Sequence, residues 1–128
     1  MRVVLQRVAE ASVTIENELK SKIGVGYLLL IGIETEDNQE DIEWLCKKIV
    51  QLRIFNDAED KMNLSIKDVG ADILVISQFT LHAQSKKGNR PSFIKAARPE
   101  QAIPLYEAFI KEMEKQLEKP IGTGEFGA

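Results

Sequence analysis

The sequence predicts an α/β fold of the α+β kind, with many short strands and two amphipathic helices. Apolar residues alternate with polar ones at the start of the chain, which is the period of a half-buried strand. Two uninterrupted apolar runs, Tyr27 to Ile33 and Ile73 to Ile76, read as strands covered on both faces. Two other stretches repeat their apolar residues at helical spacing.

In chain order, Val3 and Leu5 and then Val13 and Ile15 mark two strands, joined by a turn over Ala9-Glu10-Ala11-Ser12. Leu19 to Ile23 resumes the alternation after Glu16-Asn17-Glu18, and Tyr27 to Ile33 follows as a fully covered strand. Asp37 with Glu40 three residues later forms a candidate capping box. Behind it Ile42, Leu45, Cys46, Ile49 and Leu52 trace a helix of about 14 residues. Cys46 falls on that apolar stripe with no cation beside it to favour a thiolate, so it reads as a buried structural cysteine. Arg53 to Phe55 and Met62 to Ile66 read as short strands around the turn Asn56 to Asp60, and Lys67 to Gly70 as a further turn. Ile73 to Ile76 is the expected central strand, leaving through the polar cluster Ser77-Gln78-Phe79-Thr80. Gln84 to Lys95 is punctuated like a long surface loop. A second helix opens at Pro99 or Pro104, carries Ala102, Leu105, Tyr106, Phe109, Met113 and Leu117 on one stripe, and ends before Pro120. Gly122 to Ala128 reads as a loop.

Composition narrows the function classes. The 128 residues hold one cysteine and one histidine, which excludes a disulfide scaffold and leaves no thiol-zinc cluster. The longest apolar stretch, Tyr27 to Ile33, is too short for a membrane helix, and Met1 to Val8 lacks the apolar core of a signal peptide. The expectation is one domain, residues 1–128, in the reducing cytoplasm.

Charge is unevenly distributed. Between Gln84 and Arg98 lie Lys86, Lys87, Arg90, Lys95 and Arg98 with no acidic residue, so this segment carries +5 and the remainder −8. A basic loop on an acidic chain suits an RNA phosphate backbone, with Phe93 available to stack on a base or ribose. A solvated loop whose cations keep the protein soluble accounts for the same charges. Ser77, Gln78 and Thr80, emerging from a buried strand, could hold donors rigidly at a cleft. They also suit a strand simply reaching water. His82 would share a sheet face with Thr80, but neighbours on one face project in parallel, so the pair reads as a poor nucleophile and base.

At Ser77-Gln78-Phe79-Thr80-Leu81 the chain resembles the D-aminoacyl-tRNA deacylases. The resemblance extends over Met1 to Val8, the Gly32 strand, Lys87 to Phe93, Ala97-Arg98-Pro99, Leu105-Tyr106-Glu107 and Thr123 to Ala128. It implies a barrel-like β-structure flanked by helices, a homodimer with active sites at the subunit interface, and no metal or organic cofactor. The implied reaction is hydrolysis of the ester between a D-amino acid, or mischarged glycine, and the terminal ribose of tRNA. By the same match Ser77, Gln78, Phe79 and Thr80 line the pocket, with backbone N–H groups of Phe79 and Thr80 holding the oxyanion. Gln78 positions the ester, and Thr80 either attacks or orients water while a ribose hydroxyl assists. Phe93 borders the pocket, Lys86, Lys87 and Arg90 contact phosphates, and Arg7 supports a later Asn-x-Gly-Pro-Val-Thr motif of the family. That motif and a preceding strand follow Phe-Gly-Ala in the family pattern, so the resemblance leads one to expect a domain lacking both, with chiral selectivity affected. The alternative is a non-catalytic nucleic-acid-binding module of the same fold.

Overall fold

A computed structural model describes residues 1–78 and 97–125. Its elements are β1 (Arg2–Val8), β2 (Ala11–Ile15), β3 (Glu18–Ile23), β4 (Gly26–Gly32), α1 (Gln39–Gln51), β5 (Phe55–Asn56), β6 (Met62–Leu64), α2 (Ile66–Val69), β7 (Asp72–Ser77), α3 (Pro99–Leu117) and β8 (Gly122–Thr123). The main sheet has the order β1-β4-β7-β8, and β2-β3 and β5-β6 form separate ribbons. β1 runs antiparallel to β4, whereas β7 runs parallel to both β4 and β8.

The continuous apolar runs occupy the interior strands, as their lack of polar residues requires. Tyr27, Leu29 and Ile31 of β4 and Ile73 and Val75 of β7 share one core with Ile42, Cys46 and Ile49 of α1 and Ala102, Tyr106, Phe109, Met113 and Leu117 of α3. Tyr27 stacks on Phe55 with ring centroids 5.1 Å apart, and the Tyr106 hydroxyl donates to the Val75 carbonyl at 3.2 Å. The opposite sheet face carries the rows Gln6–Leu28–Leu74–Gly122 and Val4–Leu30–Ile76. The β2-β3 ribbon wraps the β8 side of that face. Ser21 Oγ donates to the Thr123 carbonyl at 2.7 Å and accepts from its N–H at 3.2 Å. A Cβ on Gly122 would lie 3.6 Å from the Ile23 side chain. This folding-over of a ribbon onto a twisted sheet is the barrel-like feature of the α+β fold. Farther from β8, Val4 is 47% exposed and Leu30 and Ile76 are half-buried.

Three local expectations need correction, and one alternative is decided. Helix α1 is capped one residue later than the Asp37/Glu40 pair suggests: Asn38 Oδ1 accepts from the Asp41 N–H, and the Asp41 carboxylate accepts from the Asn38 N–H. Asp37 is otherwise engaged, holding the Met1 α-amino group at 2.6 Å and the Glu34 N–H at 2.6 Å. The expected turn at Lys67–Gly70 is a one-turn helix, α2, with a Ser65/Asp68 capping box and Gly70 in the left-handed region at φ 63°. This single turn stands beside the two amphipathic helices, α1 and α3, among the described residues. Gly122–Thr123 is not loop but an edge strand, made one by its pairing with Leu74 and Val75. The second helix begins at Pro99, in its first turn where a missing N–H costs nothing, and accommodates Pro104 inside.

Candidate active site at the carboxyl ends of β4 and β7

β4 and β7 run in parallel, with Ile31 opposite Ser77, so both strands end together. The Gln78 N–H donates to the Ile31 carbonyl at 2.7 Å, carrying the ladder one step past Ser77. Two consequences follow for the motif. Alternation along the strand sends Ser77 to the helix-covered face and Gln78 to the opposite one. The Gln78 N–H is also spent on the sheet, which takes it out of the set of backbone donors the motif can offer an oxyanion.

The turn beyond β4 is pinned from several directions. The Ala97 N–H donates to the Ile33 carbonyl at 2.8 Å, and the Gln101 side-chain amide donates to the Thr35 carbonyl. Asp37 ties the start of β1 to the same turn through Met1, an ion pair whose side chains are only 2% and 5% exposed. Because Arg2 lies opposite Gly32 and Gly32 continues the register toward Gln78, Arg2, Gly32 and Gln78 form one transverse row on one sheet face. From the sequence Arg2 is only a polar residue interrupting an apolar run. Its neighbourhood depends on pairing across three strands, for which the sequence carries no direct signal.

Among the expected site residues, Ser77 and Gln78 are thus placed at one strand end. Phe79, Thr80, Lys86, Lys87, Arg90 and Phe93 lie outside the described residues, as does His82. Arg7 sits at the other end of β1, opposite Tyr27, about 16 Å along the strand from the Gly32 row. Its guanidinium donates to the Ile54 carbonyl at 2.6 Å. Within one chain the structure does not bring Arg7 to Ser77 and Gln78.

Burial moves three ionisable groups away from neutrality rather than toward it. It pushes the Tyr27 phenol to about 12, against a smaller opposing pull from Arg7, and the Tyr106 phenol also to about 12. Burial, with the Glu112 carboxylate adding to it, raises the Cys46 thiol to about 12. These groups are inert at neutral pH and belong to the core. Among the described residues no cluster of His, Cys, Asp or Glu is arranged to hold a metal, and no helix is long and apolar enough to cross a membrane.

The sequence pattern of the D-Tyr-tRNA(Tyr) deacylase family matches residues 4–128. The chain belongs to this family. It is 65% identical to the D-aminoacyl-tRNA deacylase of Bacteroides thetaiotaomicron, 61% to that of Parabacteroides distasonis and 58% to that of Flavobacterium psychrophilum. Each comparison covers 100% of this chain and 85% of the relative. A solved structure named c-Myc DNA Unwinding Element Binding Protein is 42% identical and superposes with a TM-score of 0.92, covering 100% of this chain and 87% of that one. A structure described as a probable eukaryotic D-amino acid tRNA deacylase shares 17% identity at a TM-score of 0.82, over 98% of this chain and 88% of that one, a likeness of fold alone. The family reaction, hydrolysis of D-aminoacyl-tRNA, makes this chain an enzyme of the hydrolase class.

Proposed function

We infer that residues 1–128 act as one domain that hydrolyses the ester between a D-amino acid and the terminal ribose of tRNA, at a pocket opening where β4 and β7 end. The observation that carries this reading is the Ser77-to-Leu81 motif leaving an interior parallel strand, within a chain 65% identical to a named deacylase. Crevices at the carboxyl ends of parallel strands are favoured ligand sites, because rigid strands there deliver side chains and backbone donors to one point.

The chemistry requires an attacking water, an acceptor for its proton and donors for the tetrahedral oxyanion. Commitment of the Gln78 N–H to β4 supports giving the oxyanion role to the backbone N–H groups of Phe79 and Thr80. Gln78, whose amide both donates and accepts, positions the ester, and Ser77 completes the pocket wall. Thr80 orients the water while a ribose hydroxyl of the substrate assists. Lys86, Lys87 and Arg90 contact phosphates and Phe93 borders the pocket. The same site takes mischarged glycyl-tRNA, and the reaction calls for no metal or organic cofactor.

The chain works as a cytoplasmic homodimer with the site at the interface. The half-covered apolar row Val4–Leu30–Ile76, beside the Gln78 row, supports this, since pairing would remove it from water. The separation of Arg7 from the motif within one chain fits a role for Arg7 at a site that a second subunit completes.

The test is release of D-tyrosine from D-tyrosyl-tRNA, with L-tyrosyl-tRNA as control. Failure at catalytic protein concentration defeats the reading. Thr80→Ala should slow turnover about 10²-fold if Thr80 positions water or supports the oxyanion, and abolish it with binding intact if Thr80 attacks. Likeness to a solved protein named for binding a DNA unwinding element favours a second reading, a non-catalytic nucleic-acid module. That reading gives salt-sensitive binding without hydrolysis.

A further inference from the structure

We propose that Tyr106 is a positioning residue for the hydrolysis, its hydroxyl fixing the direction in which β7 delivers the Ser77-to-Leu81 motif. The proposal deepens the deacylase reading and rests on it. Tyr106 lies on the buried stripe of α3, 4% exposed, and its hydroxyl donates to the Val75 carbonyl at 3.2 Å. Val75 stands two residues before Ser77 and shares its sheet face. The same carbonyl accepts from the Gly124 N–H at 3.3 Å. A carbonyl oxygen has two lone pairs, so here one serves the β8 side of the sheet and the other the helix layer.

Core packing alone does not call for this hydroxyl, since Phe109, Met113 and Leu117 continue the same stripe as apolar side chains. A buried hydroxyl bonded to a carbonyl contributes little net stability, because it gives up water to do so. What it supplies is direction. β4 pairs with β7 as far as Ser77, whereas β8 pairs only with Leu74 and Val75. Both neighbours pull in the plane of the sheet, and neither sets how far the end of β7 tilts out of that plane. Tyr106 acts from the helix layer, at the last residue that β8 pairs with. The start of α3 is in turn fastened to the end of β4. There the Ala97 N–H donates to the Ile33 carbonyl at 2.8 Å, and the Gln101 amide donates to the Thr35 carbonyl. One helix thus ties together the two strand ends that define the site.

Ester hydrolysis is sensitive to that direction. Donors to a developing oxyanion act only in a narrow range of distance and angle, and a misplacement of about 1 Å costs about 10²-fold in rate. Tyr106 acts without touching the substrate, through Val75 on Ser77 and the residues that follow. Burial pushes its phenol up to about 12, so it stays protonated, and a donor, at neutral pH.

Tyr106→Phe keeps the ring and removes only the hydroxyl. We expect kcat on D-tyrosyl-tRNA to fall about ten-fold with KM within two-fold, the signature of an effect on the transition state and not on substrate binding. Ser65→Ala, which loosens the α2 cap at the opposite end of β7, should leave both constants within two-fold. Amide hydrogen exchange gives a reading independent of turnover. The Gln78 N–H, donated to Ile31, should exchange about ten-fold faster in Tyr106→Phe, while the Leu29 N–H in the middle of β4 keeps its wild-type rate. A wild-type kcat, a rise in KM alone, unchanged exchange at Gln78, or equal losses in Tyr106→Phe and Ser65→Ala overturns the proposal. So does a Tyr106→Phe protein that does not fold at the assay temperature, since the hydroxyl is then structural. Wild-type protein inactive on D-tyrosyl-tRNA refutes the deacylase reading instead, so the two failures are distinguishable.

Discussion

Replacing Tyr27 with Phe should stabilise the protein. The ring is fully buried and stacked on Phe55 at 5.1 Å, and its hydroxyl has no hydrogen-bond partner among the described residues. A buried hydroxyl without a partner costs about 1–3 kcal/mol in mutational series. Tyr27→Phe leaves the stacked ring in place and removes that cost, against a small loss of packing where the oxygen was. A net gain of about 1 kcal/mol corresponds to a melting temperature higher by roughly 4 °C in a domain of this size. Alkaline pH gives an independent reading. Burial raises the Tyr27 phenol from 10.0 to about 12 in the folded protein. A raised pKa contributes stability that is complete below the unfolded value and lost as pH climbs to the folded one, so the window is pH 10 to 12. Two pH units of displacement are worth about 2–3 kcal/mol at the top of that window. In Tyr27→Phe the fall in stability between pH 10 and 12 should be shallower by about that amount. Urea unfolding at pH 7, 10 and 11.5 supplies both numbers, and absorbance at 295 nm follows the phenolates directly. Because Tyr106 is also held to about 12, neither of the two tyrosines should ionise near pH 10 while the protein is folded. A variant destabilised by more than 1 kcal/mol at pH 7, or a native phenolate appearing near pH 10, would refute the reasoning.

Other expectations are more local. Gly26→Ala should destabilise by about 1–3 kcal/mol or more, because the new Cβ would stand 1.8 Å from the Asp72 carbonyl oxygen where β4 meets β7; a melting curve matching wild type would count against that close approach. Cys46, fully buried with its thiol pushed up to about 12, should resist a disulfide-exchange reagent at pH 8 and react fully in urea. Ser65→Ala should cost about 1 kcal/mol through loss of the α2 cap. Hydrogen bonds from Ser65 hold the Asp68 carboxyl below its ordinary value, so its contribution is present above the usual carboxylate range and fades as pH falls through the lowered value. Asp68→Asn should therefore flatten the acid limb of a stability–pH profile, and an unaltered limb would exclude this capping box as its source.

How much of this was legible depends on whether the deciding contact is near in sequence. β1 writes its half-burial into a two-residue period, β4 and β7 into unbroken apolar runs, and α1 and α3 into helical stripes, and those elements are found where the sequence places them. The start of α1 is ambiguous because two capping boxes, Asp37/Glu40 and Asn38/Asp41, are offset by one residue. A distant group, the Met1 amine, decides between them by occupying Asp37. Helix α2 is four residues long, too short to show a period. β8 has no strand signature, being created by the edge of β7 and by Ser21. The site divides in the same way. A polar cluster after an apolar run marks the end of β7, but the opposite facing of Ser77 and Gln78 and the alignment of Arg2 with Gln78 are properties of register.

The hydrogen bonds between Ser21 and Thr123 join residues 102 positions apart. During synthesis the β2-β3 ribbon therefore emerges long before the strand it will cover, and β4 must wait for β7, its parallel neighbour, until α1, both short ribbon strands and α2 have been made. Closing contacts of this span is entropically slow, so the sheet cannot be completed co-translationally in order from its N-terminus. Until β7 is made, the β4 edge that it will pair with stands open. An unpaired strand edge of this kind is where incompletely folded chains associate with one another, so the vulnerable species is the unfinished sheet and not the finished one.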